Sequence, residues 1–219
     1  MTFSDALEPE LPDVESDAVA VIDSAKARQI LDGARKVFLA DGFDGASMND
    51  IARVAGVSKG TIYSHFPSKD ALFAALVRED KRQQAERLGA YDEHEGAIED
   101  VLFRLGVGLM ELMLEPDHVA QVRTVAAVAP KFPEIGRAFY EAGPQFGHRR
   151  LAAWLARRVA AGELAIEDTE AAAEQFFNLA QGVLFKKMLF AAEPKPPHAE
   201  IEATVGSAVR VFLAAYRPR

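Results

Sequence analysis

The 219-residue sequence contains no cysteine, which excludes a disulfide framework, a thiolate metal site, a thiol nucleophile and any redox sensing through thiols. It also lacks an excess of positive charge. The formal net charge is −8, the wrong sign for a protein that coats nucleic acid through charge alone. Long hydrophobic runs are missing too: Leu105 to Leu114 and Phe176 to Phe190 are interrupted by Glu111 and by Lys186 and Lys187, so no membrane segment is expected. The opening residues MTFSDALEPELPDVESD have no basic start, apolar stretch or cleavage site; they do not read as a secretory signal, and the expected location is the cytoplasm. Nowhere do β-branched and aromatic residues alternate with period two over a strand's length, which leaves an all-α fold. The histidines His65, His94, His118, His148 and His198 show no i, i+4 pairing or H-x-x-E spacing, so no metal and no other cofactor is expected. Carboxylates such as Glu163, Glu167 and Asp168 stand without a nucleophile motif or paired acid/base spacing, and an enzyme is not expected.

The charge that is present is unevenly spread. Residues 1 to 23 hold seven acids and no Lys or Arg, whereas residues 24 to 90 hold 11 basic and 8 acidic side chains. Residues 1 to 22, with Pro9 and Pro12, read as an acidic disordered tail. From about Ser24 the pattern turns helical: Ile30, Leu31, Ala34, Val37 and Phe38 line one face, and Gly42 ends the helix. Ser47 offers an N-cap for a short second helix whose inner face is Met48, Ile51, Ala52 and Ala55, closed by Gly56. Ser58 caps a third helix through about Ser64, and Pro67 with Ser68 opens a fourth, which carries Leu72, Phe73, Leu76 and Val77 inward before turning polar from Asp80 to Arg87. Further helices are expected at about 98 to 114, 117 to 128, 133 to 142, 144 to 161, 168 to 191 and 198 to 216. Their breakers are Pro116, Pro130, Pro133, Gly143 with Pro144, Gly162, and the run Pro194 to Pro197.

The stretch from Ser47 to Phe66 has the parts of a helix-turn-helix in order. Ala52 is small where two helices cross, and Gly56 supplies the turn. Ile51, Val57 and Ile62 form a shared core, leaving Lys59, Thr61, Tyr63, Ser64 and His65 facing outward. Gly60 weakens so short a helix by roughly 1 kcal/mol relative to Ala, which points to a backbone that must approach something closely. The free N–H groups at the Ser47 and Ser58 helix starts suit phosphate oxygens, and Lys59 and Lys69 add charge on either side. The alternative for these side chains is a solvated face on a structural hairpin.

From Ile30 to Leu72, with G56-V-S-K-G-T-I-Y-S-H-F66 and S68-K-D-A-L72, the sequence resembles the TetR/AcrR DNA-binding domain. F132-P-E-I-G-R-A-F-Y-E-A-G-P144 and A172-A-E-Q-F-F-N-L-A-Q-G182 resemble the AefR-like subgroup of that family. The resemblance implies that the helix from Ser58 to Ser64 enters the major groove, that Tyr63 and Lys69 contact phosphates, that Thr61 lies against bases and that His65 touches the backbone. Behind the tail at 1 to 22 it also implies two parts: a three-helix DNA-binding domain at 23 to 70, and a larger helical-bundle domain at 71 to 219 for ligand sensing and dimerisation. The resemblance further implies that the last two long helices pack against their symmetry mates, which makes Phe176, Leu179, Ala180, Val183 and Leu184, with Val205, Val209 and Phe212, the expected dimer face; apolar residues covering most of the first of these helices agree with it. Arg123, Tyr140, Gln145, Trp154, Asn178 and Gln181 are polar-tipped residues among apolar ones and are the candidate lining of a pocket for an apolar small-molecule effector.

A homodimeric repressor on a pseudo-palindromic double-stranded operator is therefore expected, its reading heads about 34 to 36 Å apart. The other reading is a helical adaptor whose hairpin meets protein.

Overall fold

The computed structural model describes residues 25–89 and 96–218; the acidic tail read over residues 1 to 22 and His94 lie outside them. Among the described residues there are eleven α-helices, one π-helical turn and no strand. In chain order the helices are α1 (Ala25–Gly45), α2 (Met48–Ala55), α3 (Lys59–His65), α4 (Lys69–Gly89), α5 (Ile98–Met113), α6 (Pro116–Val128) and α7 (Pro133–Tyr140). After the π turn (Glu141–Gln145) come α8 (Phe146–Ala160), α9 (Thr169–Gln181), α10 (Leu184–Leu189) and α11 (His198–Tyr216). None is long and apolar enough to cross a membrane.

Helix α1 buries Ala27, Ile30, Leu31, Ala34, Val37 and Phe38, an i, i+3, i+4, i+7 stripe. Its regular part stops at Gly42, whose φ of 69° and ψ of −178° break the helix. Phe43 then folds back under it, stacking on Phe38 at 5.9 Å and meeting the edges of Phe73 at 5.3 Å and Phe132 at 5.2 Å. Phe132 comes from the loop between α6 and α7, and Val125, Val128, Ile135 and Ala138 join the same core. The N-terminal core is thus not closed at residue 70. It includes Leu72 to Val77 of α4 and is roofed by α6 and α7.

A second core gathers α5, α8, α9 and α11 around Trp154, Phe176, Phe212, Leu102 and Met110. Six of the eight residues read as a dimer face, Phe176, Ala180, Leu184, Val205, Val209 and Phe212, are buried inside this protomer core. A side chain with almost no exposed surface has little left to lose against a partner, so these six serve the protomer itself. Leu179 and Val183 are exposed.

Two breaks differ from the pattern read in the sequence. The helix expected over 168 to 191 is divided at Gly182, where φ is 51°. At Gly143 and Pro144 the chain does not break but widens into the π turn, with Pro144 inside it. The wider winding accommodates a residue that has no N–H and would clash in an α-helix.

Candidate nucleic-acid interface and ligand cavity

The geometry of α2 and α3 follows from their ends. Ser47 caps α2: its Oγ accepts the Asp50 N–H at 3.1 Å and donates to the Asp50 carboxylate at 2.6 Å, which with Arg53 holds that carboxyl below its usual range. At the other end Gly56 takes φ 65°, ψ 36°. The Val57 N–H then bonds the Ala52 carbonyl at 3.0 Å and the Gly56 N–H bonds the Arg53 carbonyl at 3.2 Å, a Schellman closure that requires the left-handed residue. Gln29 of α1 reaches across and donates to the Ala55 carbonyl at 2.6 Å. At Gly33 the helices α1 and α2 touch so closely that a Cβ there would lie 2.6 Å from the Ala55 Cβ and 2.8 Å from its backbone.

Helix α3 starts in the same way, with Ser58 Oγ accepting the Thr61 N–H at 3.1 Å and lying 2.7 Å from the Thr61 hydroxyl. Ile62 is fully buried and anchors the helix to Ile51, which is also fully buried, while Val57 packs beside them. Ser58, Lys59, Gly60, Tyr63 and Ser64 are exposed, and Thr61 and His65 half-buried. Tyr63 keeps 45% of its surface accessible, a large aromatic side chain held in the open. A Cβ at Gly60 would meet nothing closer than Ser58 Oγ at 3.8 Å; no contact within the protomer demands glycine there.

Lys69 is placed differently from the phosphate contact expected of it. Its Nζ donates to the carbonyls of Phe43 at 2.6 Å and Ala46 at 3.0 Å, and sits 4.5 Å over the Phe43 ring. The carbonyls past the Gly42 break have lost helical partners, and the negative end of α1 attracts the cation.

Between α4, α5, α6, α7, the π turn, α8, α9 and α10 lies a cavity of about 300 Å³. Its walls are apolar for the most part, among them Leu105, Leu109, Met113, Trp154 and Phe177. Of the six candidate pocket residues it brings together Trp154 and Gln181. The other four do not line it. Arg123 donates instead to the carbonyls of Met188 at 2.6 Å and Leu189 at 2.8 Å, ending α10; Tyr140 and Asn178 point to the exterior and Gln145 is half-buried in the π turn.

The sequence reading missed Lys81 and His118, both buried on this wall. Lys81 Nζ lies 3.3 Å from His118 Nδ1, donates to Gln84 Oε1 at 3.0 Å and stands 4.1 Å above the Phe139 ring. Burial pulls Lys81 down to about 7, and burial together with the neighbouring ammonium pulls His118 down to about 3. The sequence shows Lys81 only as part of the polar run from Asp80 to Arg87, because the residues that cover it, His118, Phe139 and Gly143, come from far along the chain. Among the described residues no group of His, Asp and Glu could hold a metal ion.

Comparison with known proteins agrees with this arrangement. Residues 30–76 match the tetR family of bacterial regulatory proteins, and residues 100–218 match the AefR-like transcriptional repressor C-terminal domain. The HTH-type transcriptional repressor Rv1474c of Mycobacterium tuberculosis is 37% identical over 134 residues, 60% of this chain and 63% of that protein. The AcnR repressor of Corynebacterium efficiens is 38% identical over 76 residues, 33% of this chain and 40% of the relative. The matched stretch thus spans less than two thirds of either curated relative. Among solved structures, a TetR-family regulator from Mesorhizobium loti superposes with a TM-score of 0.83 at 26% identity, covering 93% of this chain and 100% of the other. The flavonoid-responsive regulator FrrA gives 0.75 at 33% identity, covering 89% and 98%. With the capped helix pair, the helical body behind it and both family matches in register, the chain belongs to the TetR family of bacterial transcription regulators and carries an AefR-like C-terminal domain.

Proposed function

We propose that this chain is a dimeric one-component repressor that grips a pseudo-palindromic operator through α2 and α3 and leaves it when a small molecule fills the cavity of the C-terminal body. The observation that carries the reading is the α3 surface. Two serine caps, a Schellman turn and the burial of Ile51 and Ile62 in one core fix a helix that presents Ser58, Lys59, Gly60, Thr61 and Tyr63 outward. In this arrangement the N–H groups at the starts of α2 and α3 and Lys59 position phosphates, Thr61 lies against bases, and Tyr63 and His65 contact the backbone. Lys69 supports the head from within. The names of Rv1474c and AcnR as repressors favour repression, and the name of FrrA as flavonoid-responsive favours a small-molecule signal.

For the dimer, α9 and α11 pack on each other, and Leu179, Val183 and Val211 are large apolar side chains that this part of the chain leaves exposed; they are the proposed contact with a second copy. The route from cavity to DNA runs along α4. Leu72 to Val77 lie in the core of the reading head, while Lys81 and Gln84 of the same helix line the cavity. A ligand that binds better to one placement of α4 shifts the population toward it by the ratio of its two affinities.

The test is retention of the gene's own promoter fragment by the full chain. Affinity should fall with salt on a log–log slope of about −0.9 per phosphate neutralised. Salt-insensitive association, or none with the promoter, would overturn the proposal.

A further inference from the structure

We infer that the molecule sensed in the cavity is an amphipathic organic acid, an apolar body bearing one carboxylate or acidic phenol oxygen, and that Lys81 receives the acid. The inference rests on the sensor reading above and gives it a ligand chemistry.

Among the described residues the charged groups of the wall have one sign: Lys81, Arg104 and Arg150 line the cavity together with His118 and His148, and no described Asp or Glu joins them. Lys81 is the cation the protein has withdrawn from water, with 4% of its surface exposed. Its neighbours along α4 are committed elsewhere. The Asp80 carboxylate takes Arg35 and accepts from Gln121 at 2.7 Å, and Glu79 pairs with Arg82 at 2.8 Å and Gln83 at 2.8 Å. Among the described residues the ammonium's direct contacts are three neutral groups, the Gln84 amide oxygen, the His118 ring nitrogen and the Phe139 face, and the Asp80 carboxylate acts on it only at longer range. An ammonium kept from water with no anion in direct contact is expensive, and a methionine or leucine would fill the same space without that penalty. An anion arriving from outside completes the set, and does so inside a low-dielectric wall where its attraction is strongest.

The rest of the cavity fixes the other end of the ligand. Leu105, Leu109, Leu112, Met113, Trp154 and Phe177 offer hydrocarbon and ring faces to an apolar body. A free inorganic anion would leave that surface dry and unused, and a neutral hydrocarbon would leave Lys81 without a counter-charge. Lys81 also sits where its charge state is felt by the fold. Its stem is pressed against the π turn, with Cδ 3.0 Å from where a Cβ on Gly143 would stand, and it belongs to the helix whose first turns are in the head's core.

Trp154 is the sole tryptophan of the chain and lies in the wall, so its fluorescence reports occupancy of the full-length protein directly. The probes are decanoate, decan-1-ol and decyltrimethylammonium, below micelle-forming concentrations, with 7-hydroxyflavone against flavone as the phenol arm. Decanoate is expected to bind at least about 10-fold more tightly than the alcohol, or the hydroxyflavone than flavone, since a charge-assisted contact is at stake. Whichever acid is preferred identifies the source of the oxygen. Lys81→Met should reduce affinity for that acid about 10-fold and leave its neutral analogue within 2-fold, with folding checked by circular dichroism. If the variant does not fold, the wild-type selectivity decides alone. Equal binding of acid and neutral analogue in both arms, tighter binding of the ammonium, full retention of acid affinity by a folded Lys81→Met, or no response of Trp154 to any probe would each overturn the inference. None of these bears on promoter retention by the ligand-free protein, whose loss would overturn the regulator reading instead.

Discussion

Two glycines of the reading head should respond to the same mutation with opposite signs in stability. At Gly33 an added methyl would lie 2.6 Å from the Ala55 Cβ and 2.8 Å from the Ala55 Cα and N, where carbon contacts prefer about 3.5 to 4.0 Å. Two of those three neighbours are backbone and cannot rotate away, so α1 and α2 must separate by about 1 Å. Overpacking of this kind costs about 1 to 3 kcal/mol, and the better helix propensity of alanine returns about 1 kcal/mol. Gly33→Ala is therefore expected to be destabilising by about 1 kcal/mol, and Gly33→Val, with more volume and no such propensity gain, by more. At Gly60 the added methyl meets open space; Gly60→Ala should gain up to about 1 kcal/mol. Operator affinity should fall in both variants, at Gly33 because α2 is displaced and at Gly60 because a methyl stands between the backbone and a phosphate. Urea unfolding of the full chain at one fixed protomer concentration gives the first quantity, and fluorescence anisotropy with a promoter duplex gives the second. A Gly33→Ala protein at least as stable as the wild type would refute the close-approach argument. Undiminished operator affinity in Gly60→Ala would refute the backbone–phosphate contact.

Two further outcomes separate the roles assigned to the C-terminal body. Val183→Glu, at an exposed position, should turn a dimer into a monomer by sedimentation with little loss of helix, whereas Phe176→Ala should cost about 3 to 5 kcal/mol of stability by emptying the protomer's own core; a monomer produced by the second without destabilisation would reverse the assignment. His118 is held at about 3 by burial and by Lys81, so below about pH 6.5 the unfolded chain binds a proton the folded one refuses. Its contribution is complete above that pH and is lost as pH falls toward 3, with a slope of up to about 1.4 kcal/mol per pH unit. Gln84, Lys81, Phe139 and Phe185 surround the ring; His118→Gln should flatten that part of the stability profile, and an unchanged slope would refute the assignment.

The reading head was legible because its signals are local. A serine at each start, a glycine at the turn and apolar positions three and four apart lie within twenty residues, and capping needs no distant partner. The body was legible only as helices. Phe176, Ala180 and Val205 announce burial, but a hydrophobic period does not distinguish a protomer's own core from a partner's surface. The surplus of apolar faces on α9 is absorbed by α5, α8 and α11. Lys81 was hidden for the same reason: its position in a run of charges suggests solvent, and the covering groups, His118, Phe139 and Gly143, come from far along the chain. Trp154 and Gln181 share a wall while Tyr140 and Asn178 do not, a distinction of side within helices that pattern alone does not carry. Lys69 was visible as a cation, but not the carbonyls freed by Gly42.

The roof that α6 and α7 place over the N-terminal core bears on how such a gene can be recombined. A crossover at residue 70 would join a head bearing Phe38 and Phe43 to a foreign body whose counterparts of Phe73, Val125, Val128, Phe132 and Ile135 had been shaped for other aromatics. The hybrid would inherit a cavity where the rings meet, at a cost of several kcal/mol if only one large side chain failed to fit. Head and roof thus form one packing block reaching to about residue 138, and a swap that carries the roof along with the head also exchanges His118 and Val122 of the cavity wall.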